Sequence, residues 1–290
     1  MIFRSLLFVP GDSERKLAKG LHSGADALVL DLEDAVDIAR LPVARQMVHE
    51  YLAARERGGQ ALWVRINPLD SGLALEDLAA VVRGRPDGIL LPKGSGAADV
   101  QLLDHYLSAL EARDGVAPGS IAIMPVATET PTAVFALGGY KGCSARLKAL
   151  TWGAEDLAAA IGASTNRLAS GEYEFTYRLA RSLCLLGARA AGLPAIDTIW
   201  TNFRDSKGLQ NDALLARKAG FSGKIAIHPD QVAIINEAFT PDDAEVLHAR
   251  QVVQAFENAQ GAGTVQLDGE MLDRPHLKQA LQVLASLDRA

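Results

Sequence analysis

Short apolar runs recur along the 290-residue chain, each closed by a polar, glycine or proline residue and followed by a stretch with helical spacing. That rhythm predicts βα units and a parallel sheet. Strands are expected at Ser5–Pro10, Ala27–Asp34, Leu62–Asn67, Gly88–Lys93, Ile121–Thr128, Leu147–Trp152, Ala195–Trp200 and Lys224–Pro229. Runs such as Ala27-Leu28-Val29-Leu30 show no alternation, which suits strands covered on both faces. Helices are expected over Ser13–His22, Leu41–Arg55, Ala97–Ala112 and Lys207–Ala219, with glycine near several ends. Eight such units predict an α/β fold, the (β/α)8 or TIM barrel. After His228-Pro229 the rhythm stops. Pro241-Asp242-Asp243 opens a helix to about Asn258, the bend Gly261-Ala262-Gly263 leads into Val265–Leu267, and a last helix starts near Pro275. The expected organisation is a catalytic barrel over residues 1–240 and a C-terminal helical extension over 241–290.

Composition narrows the function classes. A hydrophobic fraction of 49% with 22% charged residues supplies a large core and excludes a disordered chain. The formal charge of −6 and the lack of a Lys/Arg-rich run argue against a nucleic-acid partner. The apolar opening Ile2 to Val9 is broken by Arg4 and ended by Pro10-Gly11, too short for a membrane span or a signal segment, so a cytoplasmic location is expected. Cys143 and Cys184 form no C-x-x-C and offer neither a disulfide framework nor a structural zinc site.

In a (β/α)8 barrel the chemistry sits at the carboxyl ends of the strands. Those ends are unusually polar here: Asp31-Leu32-Glu33-Asp34, Arg65-Ile66-Asn67, Pro92-Lys93, Thr128-Glu129-Thr130, Gly153-Ala154-Glu155-Asp156 and His228-Pro229. Converging carboxylates repel unless a cation intervenes, and oxygen ligands without Cys or clustered His favour Mg²⁺. Glu129 and Asp156 are the expected ligands. The competing reading is that strand-end acids cap helices or form ion pairs, and the pattern alone leaves it open.

The ordered set Arg4-Ser-Leu-Leu-Phe-Val-Pro-Gly11, Asp31-Leu-Glu-Asp-Ala-Val36, Arg65-Ile-Asn67, Leu91-Pro-Lys93, Glu129-Thr130, Trp152-Gly-Ala-Glu-Asp-Leu157, Ile227-His-Pro229 and Gly269-Glu-Met-Leu-Asp-Arg-Pro-His276 resembles the citrate lyase β-subunit and malyl-CoA lyase family of the HpcH/HpaI aldolase superfamily. The resemblance covers nearly the whole chain. It implies Mg²⁺, with Mn²⁺ able to replace it, on Glu129 and Asp156, the same pair that the strand ends suggest. It also implies that Arg65 orients substrate, whereas the residues alone suggest an ordinary ion pair with Asp31 or Glu33. Asp273 matches an acid of the family's C-terminal run; alone it reads as a helix cap before Pro275. The family tail reaches a neighbouring subunit's active site, so a homotrimer or a multiple of it is implied. Arg15 and Lys19, one helical turn apart, match basic positions that hold coenzyme A phosphates, against the plain alternative of a solvated helix face. Asp31, Glu33 and Lys93 are expected just behind these groups, Lys93 balancing the acidic rim. His228 reads as a structural strand-end histidine.

The implied reaction is carbon–carbon cleavage, or condensation, of a short β-hydroxyacyl-CoA such as malyl-CoA or citramalyl-CoA, giving an acyl-CoA and glyoxylate or pyruvate. Arg65 would face the developing enolate, backbone N–H groups of Ala154 and Glu155 the acid's carboxylate, and Asp273 the α-carbon proton. One alternative is a citrate lyase β-subunit acting on a citryl acyl-carrier-protein thioester to give oxaloacetate; another is thioester hydrolysis. A non-catalytic binding or regulatory barrel is disfavoured, because Arg65, Glu129 and Asp156 are all present.

Overall fold

The computed structural model describes residues 3–54, 59–259 and 263–287. Ile2, Arg55, Gly261 and Ala262, which the expectations above include, lie outside them. The chain divides into two compact units, Met1–Asn236 and Glu237–Ala290, with the boundary in the last turn of the helix Asp230–Ala238.

The first unit alternates β1 (Ser5–Pro10), α1 (Glu14–Leu21), β2 (Ala27–Asp31), α2 (Leu41–Ala54), β3 (Ala61–Arg65), α3 (Ala74–Val81), β4 (Gly88–Leu91), α4 (Ala97–Asp114), β5 (Ala122–Pro125), α5 (Pro131–Ala136), β6 (Leu150–Thr151), α6 (Glu155–Ala160), α7 (Phe175–Ala190), β7 (Ala195–Asp197), α8 (Ser206–Ala219), β8 (Gly223–Ala226) and α9 (Asp230–Ala238). Eight parallel strands pair in the order β5-β4-β3-β2-β1-β8-β7-β6. Single bridges Ile123–Leu147 and Val126–Thr151 join the two ends, so the sheet closes into the expected barrel.

Strand parity decides what fills it. Leu6, Ala27, Val29, Trp63, Leu90, Met124 and Ile225 pack in one buried cluster. Alternate residues such as Leu7, Leu28, Leu30 and Val64 are equally buried, which is why the strands read as unbroken apolar runs. Gly88 has a steric reason: a Cβ there would stand 2.4 Å from the Trp63 ring.

The strands stop earlier than expected: β2 ends at Asp31, β5 at Pro125 and β7 at Asp197. The cause at β2 is local, because Asp31 turns its carboxylate onto the chain ahead. It accepts the N–H of Glu33 at 3.0 Å and of Ala35 at 3.2 Å, so the backbone leaves the ladder there.

The second unit consists of α10 (Asp243–Asn258), β9 (Thr264–Leu267), β10 (Glu270–Asp273) and α11 (Arg274–Leu287), with Val252, Phe256, Leu272 and Ala280 in its core. Asp242 and Glu245 form a reciprocal capping box that starts α10. Strand β10 was not expected. It pairs antiparallel with β9 across Asp268-Gly269, both with positive φ, and Asp-Gly between apolar positions is a hairpin signal that the sequence carried.

Candidate active site

Parity along the strands aims several groups at the carboxyl end of the barrel. Asp31 continues the face of Ala27 and Val29, Arg65 that of Trp63, and Phe8 that of Leu6. Register places Asp31 directly beside Arg65. They open on a cavity of about 360 Å³ whose walls also include Asp34, Val126, Glu129, Trp152, Gly153, Ala154, Glu155, Asp156, Ile199 and Ile227.

Arg65 is anchored by two parallel bonds to Asp31, Nε to Oδ1 at 2.7 Å and Nη2 to Oδ2 at 2.6 Å. Its Nη1 lies 2.8 Å from Glu33 Oε2 and 3.4 Å from Asp34, and its guanidinium sits 4.5 Å above the Phe8 ring. The Glu33 contact brings charges together without hydrogen-bond alignment, since Glu33 Oε2 has no bonded partner. Burial pulls the guanidinium pKa down, but Asp31, Glu33 and Asp34 outweigh it and hold it above its ordinary value. The ion pair foreseen as the plain alternative is therefore real, and Arg65 still faces the cavity. Lys93 spans the acids: Nζ lies 2.5 Å from Glu33, 3.2 Å from Asp34 and 3.3 Å from Asp156. Its pKa is also raised, burial being outweighed by Glu33, Asp156 and Asp34.

Glu129 follows β5 and is only 5% exposed. Its Oε2 accepts the backbone N–H of Lys93, a residue in the left-handed region at φ 51°, at 2.5 Å, while Oε1 takes no hydrogen bond among the described residues. Burial first, and then the charges of Asp156 and Glu33, push its carboxyl up to about 8. Gly153 makes room for it, since a Cβ there would lie 2.9 Å from Glu129 Cγ and 3.2 Å from Oε1. Among the described residues no group of three or more His, Cys, Asp or Glu side chains forms a complete metal cage. Mg²⁺ needs less, because it binds through one or two carboxylates and keeps water and substrate oxygens. A buried carboxylate with one unused oxygen and a second acid nearby fits that demand.

Asp156 lies at the start of α6, partly exposed. Ala154 and Glu155 precede it on the same wall, and their backbone N–H groups make no intrahelical bond there. Arg15 and Lys19 are exposed on α1, outside this cavity. Asp273 ends β10 in the second unit, whereas the cavity walls all come from the first. Asp273 stands directly before α11, the place its plain reading as a cap expected, and among the described residues its Oδ1 meets His276 Nδ1 at 2.6 Å and no helix amide. His228 stacks on Phe203 at 5.1 Å, and its Nδ1 accepts the N–H of Asp230 at 3.3 Å. Sequence reasoning had not singled out Phe8, Asp34, Trp152 or Ile199 as wall residues. Phe8 was within reach, two residues after Leu6 on an inward face; Trp152 was not, because Asp197, far along the chain, holds its Nε1 at 2.8 Å.

The family described as HpcH/HpaI aldolase/citrate lyase matches residues 4–229. Citrate lyase subunit beta of Leuconostoc mesenteroides subsp. cremoris is 34% identical over 283 residues, covering 97% of this chain and 92% of its own. A (3S)-malyl-CoA thioesterase of Cereibacter sphaeroides is 35% identical over 291 residues, covering 99% and 95%. The crystal structure of CitE from Mycobacterium tuberculosis in complex with magnesium, acetoacetate and coenzyme A superposes with a TM-score of 0.82 at 30% identity, covering 98% and 97%. Strand-end carboxylates around one barrel cavity and similarity over nearly the full length lead to one statement: the chain belongs to the HpcH/HpaI aldolase/citrate lyase family.

Proposed function

We propose that the protein is a Mg²⁺-dependent carbon–carbon lyase that cleaves, or in reverse forms, a short β-hydroxyacyl-CoA such as malyl-CoA or citramalyl-CoA, yielding an acyl-CoA and glyoxylate or pyruvate. The observation that carries this reading is the placement of Glu129 and Asp156 on the wall that Arg65 shares. Glu129 and Asp156 would hold the metal, which when bound supplies Lewis-acid polarisation of the hydroxy-acid oxygens. Ala154 and Glu155 offer backbone N–H groups to the substrate carboxylate, and Arg65, locked by Asp31, stabilises negative charge on the enolate oxygen. Asp31, Glu33 and Lys93 fix these groups in place. Asp273 exchanges the proton at the thioester α-carbon, acting in a neighbour's site within a cytoplasmic homotrimer or a multiple of it. Arg15 and Lys19 hold the coenzyme A phosphates.

Hydrolysis of the same thioester is the second reading, supported by relatives named (3S)-malyl-CoA thioesterase at similar identity. Cleavage of a citryl acyl-carrier-protein thioester is supported equally by those named citrate lyase subunit beta. Purified protein is offered malyl-, citramalyl- and citryl-thioesters with Mg²⁺ and with chelator, and the acids released are identified. A 2-oxo acid that appears only with Mg²⁺ supports the lyase; malate or citramalate in its place identifies the hydrolase.

A further inference from the structure

A second cavity, of about 610 Å³, opens between the turn before α7 and the loop from β7 into α8, and it shares no residue with the Glu129–Asp156 cavity. Half of the charges on its walls are already committed. Asp212 accepts Lys224 Nζ at 2.7 Å, and Asp205 accepts the N–H of Gly208 at 2.9 Å as the cap of α8. Arg181 gives two hydrogen bonds of 2.9 Å to Asp197. Exposed Glu172 is the remaining acid on these walls.

Several donors are not committed. Arg167 donates Nη1 to Gly171 O at 2.8 Å, but its Nη2, the Trp200 Nε1 and the Tyr173 hydroxyl are enclosed without hydrogen-bond partners among the described residues. Tyr173 is only 6% exposed, and the Arg167 guanidinium lies 3.9 Å over its ring and 5.1 Å from that of Trp200. The exposed Arg178 side chain makes no hydrogen bond or ion pair among the described residues, and the one carboxylate whose charge it feels is that of Glu174, one helical turn back. Buried donors without acceptors cost stability, a charged one most of all; those of Arg167, Tyr173 and Trp200 lie just behind the cavity surface, so a small side-chain turn that brings one onto an acceptor in the cavity relieves that cost. Arginine forks match carboxylate and phosphate oxygens, and the two aromatic rings suit a carbon skeleton.

We propose that this cavity is a second ligand site that binds a small organic anion through its carboxylate or phosphate, with Arg178 meeting the anion and Arg167 turning its unused N–H onto it. The site touches the candidate active site's wall twice: Tyr173 stands edge-on to Trp152 at 5.2 Å, and Asp197 Oδ1 accepts from both Arg181 and Trp152.

The test is calorimetric titration of the metal-free, full-length protein with inorganic phosphate and, in a second arm, succinate. Without a divalent ion the Glu129–Asp156 cavity is rich in carboxylates and repels both probes. Saturable binding of at least one probe is expected, weakened tenfold or more by Arg178→Gln or by Arg167→Gln, and the arm that binds tells carboxylate from phosphate. Arg178 is exposed and makes no hydrogen bond through its side chain among the described residues, so its replacement leaves the fold intact. Binding of neither probe, binding unchanged in both variants, or binding that disappears instead with Arg15→Ala/Lys19→Ala would overturn the proposal.

Discussion

Replacing Glu129 by Gln should stabilise the metal-free protein even as it removes metal binding. Burial holds this carboxyl at about 8 in the folded chain against an ordinary 4.5. The folded state therefore keeps a proton that the unfolded state gives up, and stability is lost as pH rises from about 4.5 to about 8. At about 1.4 kcal/mol per pH unit, the loss reaches about 3 kcal/mol at pH 7 and about 5 kcal/mol above pH 8. Gln carries no charge to desolvate, and its carbonyl can still accept the Lys93 N–H that Oε2 accepts in the parent. Urea unfolding in metal-free buffer at a series of pH values reads the difference. The variant should match the parent near pH 4.5 and exceed it by a margin that grows to a plateau above pH 8, while added Mg²⁺ stabilises only the parent. A variant no more stable than the parent at pH 8, or a margin independent of pH, would refute the reasoning.

Gly153→Ala places a methyl 2.9 Å from Glu129 Cγ, so Mg²⁺ affinity should fall about 10-fold or more while the unfolding midpoint changes little, as metal titration and denaturation on one preparation will show. Lys224→Met should cost about 3–5 kcal/mol, because it leaves Asp197 and Asp212, each 2.7 Å from Nζ, short of a buried cation; chemical denaturation checks this. Arg15→Ala/Lys19→Ala should raise KM for a CoA ester with a minor change in kcat, the pattern of uniform binding in steady-state kinetics. Asp273→Asn should lower kcat roughly 100-fold or more, and mixing it with Glu129→Gln should restore part of the activity once subunits exchange, if the tail serves a neighbour.

The barrel was legible because eight apolar runs lie between helices, and both-face burial writes that pattern directly into the chain. The strand ends were harder. In the run Ala27–Asp34 the apolar Leu32 still follows Asp31, and only the carboxylate's bonds to Glu33 and Ala35 show that the ladder has ended at Asp31. Glu129, Asp156 and Arg65 came forward by their place after strands, which a (β/α)8 topology turns into convergence, and the family resemblance separated them from the other strand-end charges. Their balance was not legible: whether Arg65 is consumed by Asp31 or also faces the cavity depends on strand register and on Phe8 beneath it. The Arg167–Tyr173–Trp200 cavity left no sequence signal, because its walls come from separate loops and carry no spacing rule.

The most direct measurement is Mn²⁺ titration followed by the paramagnetic resonance of the free ion, on the parent, Glu129→Gln and Asp156→Asn, each with and without glyoxylate. The account predicts one site per chain in the parent, tightened by glyoxylate and nearly lost in both variants. An affinity that neither substitution changes would place the metal elsewhere and contradict the proposed Glu129–Asp156 site.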